Sequence, residues 1–355
     1  MKEAIFQFPT AGTPCDCRQV KSGHIHKTYR ISTDTGAQYI LQRINQYVFP
    51  NVSAIMRNVH AINDYLGKTK QGKMPMIRYL KTREGQDYYD DGAGGAWRAY
   101  PFVENSLCLQ RPETEEDFTE CARAFGGFLY ALDAFPVTQL EETIPHFHNT
   151  ADRYQKLRSA MELDAAGRRA EVEAELRFAF AREEKGCELL RMMERGLLPI
   201  RVTHNDTKIN NVLLDRDSRK AICVIDLDTI MPGLSAYDFG DAIRSGARTE
   251  AEDERDPSGV RLDLRLFCAF VKGFCESCPS LTEEEIRVLP LGAYTMTLEC
   301  GIRFLTDYLE GDRYFSIDRE KHNLDRARTQ FKLLEDMEGK WDAMTRSVEE
   351  QLKTN

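Results

Sequence analysis

Four polar residues stand around a short predicted hairpin at a spacing that suits metal-assisted chemistry. Asp206 and Lys208 lie in the segment THNDTKINN, Asn211 follows at the start of an apolar run, and Asp226 lies near the end of the next one. Because a hairpin holds its two ends side by side, the Asn211 amide oxygen and the Asp226 carboxylate can share a hard cation such as Mg²⁺. Asp206 would then face the group that the metal binds.

The full spacing is more specific than any of its parts. Residues 204–211 read His-x-Asp-x-Lys-x-x-Asn, and an apolar strand and Ile-Asp follow. This arrangement resembles the catalytic loop of protein kinases and of the related aminoglycoside phosphotransferases. A loop in which His204 and Asp206 only cap backbone groups is the alternative, but it explains the triplet and not the whole pattern. The resemblance implies a kinase-like active site.

The same resemblance implies a role for each polar residue of the loop and hairpin. Phosphoryl transfer leaves the protein mainly the tasks of positioning groups and neutralising phosphate charge. We expect Asp206 to orient the acceptor hydroxyl and to accept its proton late, and Lys208 to place a cation near the transferred group. Asn211 and Asp226 would hold Mg²⁺, and His204 would brace the loop.

Two further acidic residues are expected to support this site from behind. Asp228 follows Asp226 by two residues along a strand, so it points the same way and lies close to metal or phosphate. Asp238, in the segment YDFGD, matches a family acid that supports the catalytic loop. The letters DFG at 238–240 are misplaced for a metal ligand, because that acid belongs directly after the hairpin strand, where Asp226 stands.

The first hundred residues are expected to bind the nucleotide. Residues 21–29, KSGHIHKTY, lie where a phosphate-covering loop would join two strands, and Gly23 is the only glycine among them. On the next strand the residue aligned with the kinase lysine is Gln42, and the helix that follows has no glutamate to pair with a lysine. Arg43 and Lys27 are the cations that are available as replacements.

Strand patterns dominate this first part of the chain. Two runs around the turn TDTG predict a hairpin and a third strand follows a glycine-rich turn, so the predicted strands are 28–32, 37–44 and 96–103. One helix is predicted between them, at 52–66, from apolar residues at helical spacing. The third strand runs into Phe102 and Val103, where a hinge would turn backbone groups towards adenine.

Helical patterns dominate the rest of the chain, apart from the catalytic hairpin. The predicted helices are 118–132, 151–195, 260–275, 283–308 and 325–352. A capping box begins the fourth at Thr282, and Pro290 is expected to break it. We therefore expect an α+β protein of the two-lobed protein kinase-like fold. A small, strand-rich nucleotide lobe would span 1–104, and a larger, mainly helical catalytic and substrate lobe would span 105–355.

A closer resemblance extends over nearly the whole chain. Besides the catalytic loop it rests on the segments GHIHKTY, YILQRIN with VFPN, MRNV, GGAWRAY, ETIPHFH, IDLDTIMPG, DFGD, ECGIRFLTDYLEGDRYF and HNL with RTQ. These are similar to segments of the N-acetylhexosamine 1-kinases, within the aminoglycoside phosphotransferase and choline kinase-like family. Gln42 in the lysine position is shared with that branch. The resemblance implies ATP-dependent phosphorylation of the anomeric hydroxyl of GlcNAc or GalNAc.

This resemblance also implies four sugar contacts, from His24, Asp206, Arg303 and Tyr314. Three of them have simpler alternatives. Arg303 lies in an apolar helical run, where Glu299 is four residues earlier on the same face and can pair with it. Tyr314 can stack on a sugar or merely pack, and His24 can be a surface histidine. Where the branch has an aromatic residue near Gly246 this chain reads Arg-Ser-Gly, so its substrate preference can differ.

Composition limits the classes of partner and the cellular compartment that we expect. A net charge of −9 gives no global reason to expect nucleic acid or an anionic membrane as partner. No stretch approaches the roughly 18 apolar residues of a membrane span, and the chain starts without a signal-peptide core, so we expect a cytoplasmic enzyme. Its ten cysteines are then reduced thiols. Cys275 and Cys278 favour a helix end over a zinc or redox site, because no second pair has that spacing.

Two other functions stay open on the sequence alone. The nearest is a kinase of the same fold that acts on choline, homoserine, a methylthio-sugar or an aminoglycoside. The C-terminal stretch reads as an ordinary amphipathic helix rather than the acidic pocket that a polycation needs. A non-catalytic nucleotide-binding protein is suggested by the missing lysine and glutamate. The presence of Asp206, Asn211 and Asp226 argues against it, because a scaffold needs no complete metal site.

Overall fold

A five-stranded antiparallel sheet forms the first part of the chain in the computed structural model, which describes residues 2–20, 25–68 and 76–354. The strands are β1 Pro14–Val20, β2 Lys27–Thr33, β3 Gln38–Ile44, β4 Tyr89–Asp90 and β5 Ala96–Pro101. They lie in the order β1, β2, β3, β5, β4. The predicted hairpin is formed by β2 and β3, and the predicted third strand is β5. The edge strand β1 was not expected.

The pairing of β3 with β5 decides which side chains face the interior. Gln42 stands opposite Arg98, and Arg43 stands opposite Trp97. Since neighbouring residues of a strand point to opposite faces, Gln42 and Arg98 share one face of the sheet and Arg43 and Trp97 share the other. Trp97 packs into an outer apolar cluster with Phe8. The face that carries Gln42 and Arg98 is therefore the one turned towards the rest of the protein.

One helix joins this sheet to the rest of the molecule. A single turn, α1 Lys2–Ile5, comes first, and α2 then spans Val52–Leu66, as predicted. The α2 helix begins where the Asn51 side chain accepts the Ala54 N–H at 3.0 Å. Its apolar face shares one core with the C-terminal helices. Asn58 Nδ2 also donates to the Ile230 carbonyl at 3.1 Å, which ties α2 to the segment that follows Asp226.

The remaining elements are mainly helices, with two short sheets between them. The helices are α3 Glu115–Ala131, α4 Thr150–Leu163, α5 Glu173–Phe180, α6 Glu183–Gly186, α7 Glu188–Glu194, α8 Ser235–Gly246, α9 Leu264–Ser277, α10 Glu283–Arg287, α11 Leu289–Glu310, α12 His322–Gly339 and α13 Trp341–Thr354. The strands are β6 Ser106–Cys108, β7 Arg201–Thr203, β8 Val212–Asp215, β9 Ala221–Val224 and β10 Met231–Gly233. β8 lies between β6 and β9, and β7 pairs with β10. Within the described ranges, every helix is too short or too polar to cross a membrane.

The long predicted helices are interrupted. The region 151–195 forms α4 to α7 with turns between them, and 325–352 divides into α12 and α13 at Lys340. The predicted capping box is present, since the Thr282 side chain accepts from Glu285 N and the Glu285 carboxylate accepts from Thr282 N. The predicted helix 283–308 is interrupted at Val288. Pro290 lies in the first turn of α11, where its missing N–H costs no hydrogen bond. Helix α8 was not predicted.

The helices that flank the catalytic loop cross at glycines. A methyl group at Gly240 of α8 would overlap the Gly292 carbonyl oxygen of α11, and one at Gly292 would overlap the Ala236 carbonyl oxygen of α8. The two backbones are therefore in direct contact, which larger side chains would not permit. This crossing fixes the residues of α8 relative to those of α11.

Gly240→Ala is expected to lower the free energy of unfolding by about 1–3 kcal/mol, because the two helices must move apart to admit the methyl group. Urea denaturation followed by circular dichroism measures this. The matched control is Gly339→Ala, whose methyl group would meet no atom within 4 Å. The control is expected to be unchanged or more stable, by at most about 1 kcal/mol. Equal stability of the two variants would contradict the close crossing.

Candidate active site

The catalytic loop after β7 is held by one buried carboxylate from α8. Asp238 accepts the His204 N–H at 2.9 Å and the Asn205 N–H at 2.7 Å, one on each oxygen. Its own carbonyl accepts the Thr207 hydroxyl. Burial raises the pKa of Asp238 to about 6, and the two backbone N–H groups oppose that rise. Asp238 thus contacts the backbone of the loop that the sequence analysis expected it to support.

His204 connects this loop to the turn after β9. Its Nε2 lies 2.9 Å from the Ile225 carbonyl oxygen, and the Asp206 N–H lies 3.2 Å from its Nδ1. Because a carbonyl can only accept and an N–H can only donate, Nε2 carries the proton and the ring is neutral. The rings of Phe125 and Phe128 contact the imidazole edge-on. His204 therefore joins the loop to the turn after β9, and its bracing role stays a prediction.

Asp206 lies between a cation and an amide. Lys208 Nζ is 2.8 Å from its Oδ1, and Asn211 Nδ2 donates to its Oδ2 at 3.0 Å and to its carbonyl oxygen at 2.7 Å. Burial acts to raise the pKa of Asp206, but the Lys208 ammonium outweighs it and lowers that pKa to about 2. The carboxylate is thus charged and oriented before any substrate arrives. Asn205, directly before it, has a φ of 63°, which turns the loop sharply.

Asn211 and Asp226 offer oxygen atoms that other described residues leave free. The Asn211 amide nitrogen is bonded to Asp206, so its Oδ1 is turned away from that contact. Asp226 stands in the left-handed conformation, with a φ of 62°, and no donor in the described part of the chain bonds its carboxylate. Burial and the neighbouring Asp228 raise the pKa of Asp226. An amide oxygen and an unneutralised carboxylate fit a divalent hard cation.

Two side chains bond the Asp228 carboxylate, one from the sheet and one from the segment before β2. Arg98 bonds both carboxylate oxygens, with Nη2 at 3.0 Å from Oδ2, and His26 Nε2 lies 2.6 Å from Oδ2. One donor atom of each of His26, Asp226 and Asp228 lies within 4.8 Å of the others. Since His26 and Asp228 bond each other, Asp226 is the carboxylate left for a cation. Asp228 lies in a short helical turn and not along the expected strand, and its carboxylate bonds Arg98 and His26.

The expected nucleotide-binding residues divide between the two faces of the sheet. Gln42 lies on the inner face, where its Oε1 accepts from Arg98 Nε at 3.0 Å and its Nε2 donates to Thr28 Oγ1 at 3.3 Å. Arg43 lies on the outer face, and it donates to the Gly94 carbonyl at 3.2 Å. Arg43 is therefore not brought into the cleft. Gly23 and His24 lie outside the described residues.

The expected hinge keeps two backbone groups open. The Phe102 N–H donates to the Gln38 carbonyl at 2.9 Å, and the Val103 carbonyl accepts the Ser106 hydroxyl at 2.7 Å. The Phe102 carbonyl and the Val103 N–H have no hydrogen-bond partner within the ranges that the structure describes. These two groups belong to one trans peptide unit and point in opposite directions, so one of them at a time can face the edge of a purine base.

Arg98 and His26 are site residues that sequence reasoning missed, although both lie in segments that it quoted. Arg98 is the only charged residue in the strand AWRAYP and is fully buried. A buried arginine in an apolar strand needs an acidic partner, which was the available signal. Nothing local identified the partner, because Asp228 is 130 residues away from Arg98 and 202 away from His26.

Comparison with known proteins agrees with this geometry. The family described as "Phosphotransferase enzyme family" matches residues 16–266, well over half of the chain. The chain belongs to this phosphotransferase family. An aminoglycoside phosphotransferase from Alicyclobacillus acidocaldarius is similar in structure, with a TM-score of 0.64 at 13% identity over 100% of this chain and 97% of that one.

Other solved structures share the fold at similarly low sequence identity. An amicoumacin kinase in complex with AMP-PNP, Ca²⁺ and Ami has a TM-score of 0.62 at 13% identity, over 93% of this chain and 91% of that one. The Plasmodium vivax ethanolamine kinase has a TM-score of 0.56 at 13% identity, over 92% and 84%. The phosphotransferase therefore has the protein kinase-like fold, with a strand-rich N-terminal part and a mainly helical C-terminal part.

Arg303, one of the expected sugar contacts, stands among aromatic rings. Its guanidinium carbon lies 5.1 Å from the centre of the Phe147 ring, 5.9 Å from that of Tyr314 and 5.5 Å from that of Phe315. Among the described residues, none accepts a hydrogen bond from this guanidinium. Tyr314 is half-buried and is positioned by its N–H, which donates to Asp307 Oδ1 at 2.7 Å. The structure thus brings Arg303 and Tyr314 together.

Glu299 does not pair with Arg303, which was the simpler alternative for that arginine. Its carboxylate bonds His148 Nδ1 at 2.8 Å and the Thr150 hydroxyl at 3.1 Å. His148 Nε2 in turn lies 3.1 Å from the Asn205 carbonyl oxygen. Glu299, one helical turn before Arg303, is therefore connected through His148 to Asn205, the residue directly before Asp206.

The Arg-Ser-Gly segment near Gly246 contributes a buried ionic cluster. Arg244 Nε donates to Asp241 Oδ1 at 2.9 Å, and its Nη1 donates to Glu252 Oε1 at 2.7 Å. Burial acts to lower the pKa of Lys208, but Asp206 and Asp241 raise it above its ordinary value. The cluster therefore lies beside the catalytic loop, and its acids are largely neutralised by arginine.

Lys208→Met is expected to move the acid limb of the kcat/KM profile to higher pH. Asp206 must be ionised to accept a proton, and in the wild-type protein its pKa of about 2 keeps it ionised at any working pH. Without the ammonium, burial dominates and raises the pKa of Asp206 by up to about 3–5 units, so the acid limb moves into the range of about pH 5–7 and activity is lost as the pH falls through the new value. Profiles between about pH 4 and 8 measure this. Lys208→Arg keeps the charge and is the control, and identical acid limbs for the two variants would contradict the assignment.

Proposed function

We propose that this phosphotransferase transfers the γ-phosphoryl group of ATP to the anomeric hydroxyl of an N-acetylhexosamine, GlcNAc or GalNAc, to give the sugar 1-phosphate. The observation that carries the proposal is Arg303, a guanidinium without an acceptor among the described residues, set among three aromatic rings. It lies one helical turn after Glu299, which His148 connects to the catalytic loop. Arginine donors and aromatic faces suit sugar hydroxyl groups, an acetamido carbonyl and apolar sugar faces.

Charge supports a neutral acceptor over an amine. Several structural neighbours are named for amine substrates, and an ammonium group would require an uncompensated acid beside the loop. The acids on this side already have partners, since Glu299 bonds His148 and Glu252 bonds Arg244. Arg303 adds a positive charge, which would repel an ammonium group. A neutral sugar suffers no such repulsion.

The catalytic residues have the roles that their contacts suit. Asp206 orients the anomeric hydroxyl and accepts its proton late, and Lys208 stands next to it as the cation nearest the transferred group. Asn211 Oδ1 and the Asp226 carboxylate would hold Mg²⁺, which neutralises phosphate charge in such reactions. One of the two groups of the peptide that joins Phe102 to Val103 would meet adenine. His24 would complete the sugar contacts.

The same proposal includes the lobes and the compartment. We place the boundary between the nucleotide lobe, 1–104, and the catalytic lobe, 105–355, where the chain leaves β5 and enters β6. A cytoplasmic enzyme accords with ATP as phosphoryl donor and with ten free cysteines. Burial raises the pKa of the Cys275 thiol to about 12 and that of the Cys278 thiol to about 11. Both are therefore unreactive thiols at a helix end, which is the role expected of them.

The test is phosphorylation of an acceptor panel with ATP and Mg²⁺, followed by product identification by phosphorus NMR. The panel contains GlcNAc, GalNAc, glucose, choline, ethanolamine, homoserine, a methylthio-sugar and an aminoglycoside. We expect a sugar 1-phosphate from at least one N-acetylhexosamine. Asp206→Asn is the control, with kcat lowered by about 10²–10⁴-fold and ATP binding retained. Phosphorylation of an amine but of neither N-acetylhexosamine would overturn the acceptor assignment and leave the family unchanged.

Arg303→Met is expected to raise KM for the sugar by about 10–150-fold, because a charged hydrogen-bond donor is lost, while KM for ATP stays unchanged. Steady-state kinetics with each substrate varied in turn measures this. Arg313→Met is the matched control, since Arg313 lies on the neighbouring loop with an exposed side chain. The role of Arg303 would be contradicted if both variants had the same KM for the sugar.

A further inference from the structure

The inner face of the sheet carries a cation that the proposed mechanism does not use. Arg98 has no exposed surface, and Tyr79 lies against it, with 4.6 Å between the guanidinium carbon and the ring centre. Its two terminal nitrogens bond the two oxygens of Asp228, a residue of the turn that follows β9. The contact is thus a buried bidentate ion pair between the two lobes. Such a pair is rigid because both partners would otherwise be desolvated charges.

The polar side chains that contact this pair each have a defined orientation. Arg98 Nε donates to Gln42 Oε1, so the Gln42 carbonyl points at Arg98 and its NH₂ group points at Thr28. The Asn45 N–H donates to His26 Nδ1 at 3.1 Å, so His26 is neutral and Nε2 is the donor to Asp228. Arg98 is therefore the full positive charge bonded to Asp228.

The neutrality of residue 42 follows from its neighbour. A lysine at position 42 would remove the acceptor of Arg98 Nε and place an ammonium group beside a buried guanidinium. Glutamine supplies the acceptor for Arg98. Its uncharged NH₂ group is not bonded to Arg98 and lies on the face of the sheet that is turned towards Asp226 and Asp228. The inner face of β3 carries no cation, and Arg98 supplies one from β5, directly opposite Gln42.

We propose that Arg98 is a positioning residue of the nucleotide site: it holds Asp228, and with it the turn that carries Asp226, against the sheet, and its charge dictates the glutamine at position 42. Asp226 is two residues before Asp228 and stands in a left-handed turn, so a shift of Asp228 shifts the carboxylate that is left for the metal. The inference rests on the proposed use of ATP with a divalent cation at this site, but not on the identity of the acceptor.

The test uses the full chain and four variants: Arg98→Met, Gln42→Lys, Gln42→Met and the double variant Gln42→Lys with Arg98→Met. Calorimetry with AMP-PNP measures nucleotide affinity at several Mg²⁺ concentrations, and steady-state kinetics gives kcat and the KM for each substrate. We expect Arg98→Met to weaken Mg²⁺-dependent nucleotide binding and to lower kcat by about 10–100-fold, without a change in KM for the acceptor. Gln42→Lys is expected to bind Mg²⁺ and nucleotide more weakly than Gln42→Met.

The double variant separates positioning by charge from packing. The ammonium group introduced by Gln42→Lys can reach Asp228 once Arg98 is gone, so we expect the double variant to recover at least part of the Mg²⁺-dependent affinity that Arg98→Met loses. A packing role alone would not be rescued by a charge moved to another strand. The inference is overturned if Arg98→Met binds AMP-PNP and Mg²⁺ as the wild type does, or if the double variant is no better than Arg98→Met.

Two outcomes keep the test decisive. If Arg98→Met does not fold, as thermal melting would reveal, the comparison of Gln42→Lys with Gln42→Met decides, and equal affinities of these two variants overturn the inference. If the wild type binds AMP-PNP with Mg²⁺ but phosphorylates no sugar, the proposed acceptor fails, and the variants still judge the role of Arg98.

Discussion

Arg98 and Asp228 place two opposite charges in the interior, between the inner face of the sheet and the turn that follows β9. Burying such a pair is costly unless each remaining donor and acceptor is satisfied, and removing one partner typically costs about 3–5 kcal/mol because the other charge is left alone. Here Gln42 accepts from Arg98, and His26, oriented by the Asn45 N–H, donates to Asp228. The side chains around the pair are thus constrained by it, and so is the position of Asp226.

Four aspartates close to one another have four different electrostatic environments. Asp206 is kept charged by Lys208, with a pKa of about 2, and Asp228 is kept charged by Arg98, with a pKa well below its ordinary value. Asp226 has no neutralising partner of its own among the described residues and its pKa is raised, while burial raises that of Asp238 to about 6. These partners explain why the four carboxylates suit different roles: Asp206 the proposed base, Asp228 an ion-pair anchor, Asp226 a carboxylate suited to a cation, and Asp238 an acceptor for backbone N–H groups.

The catalytic loop is held by side chains of two helices, α8 and α11, that contact each other. Asp238 of α8 holds the backbone of His204 and Asn205, while Glu299 of α11 orients His148 towards the Asn205 carbonyl. Because α8 and α11 cross at glycines, these supports belong to one rigid frame. The residue one turn after Glu299 is Arg303, so the helix that carries Arg303 also supports the loop that carries Asp206. Such preorganisation is what phosphoryl transfer requires of a protein that does little covalent chemistry.

The parts of this phosphotransferase that depend on local contacts could be predicted from its sequence. The bounds of α2, the β2–β3 hairpin, the Thr282 capping box and the catalytic loop all follow from residues within one or two turns of each other. Asp206, Lys208 and Asn211 converge because a loop of a few residues and a strand start must bring them together. The long predicted helices were less accurate, because their breaks depend on what each segment packs against.

The distant residues that complete the site became known only from the folded chain. Asp228 bonds Arg98 and His26, and Glu299 bonds His148 instead of Arg303, and these partners are separated by 130 or more residues. A buried charge must find an opposite charge or a donor, and the sequence states that need without stating the partner. Strand pairing, which turns Gln42 inwards and Arg43 outwards, and the crossing of α8 with α11 select the partner, because they set which faces meet.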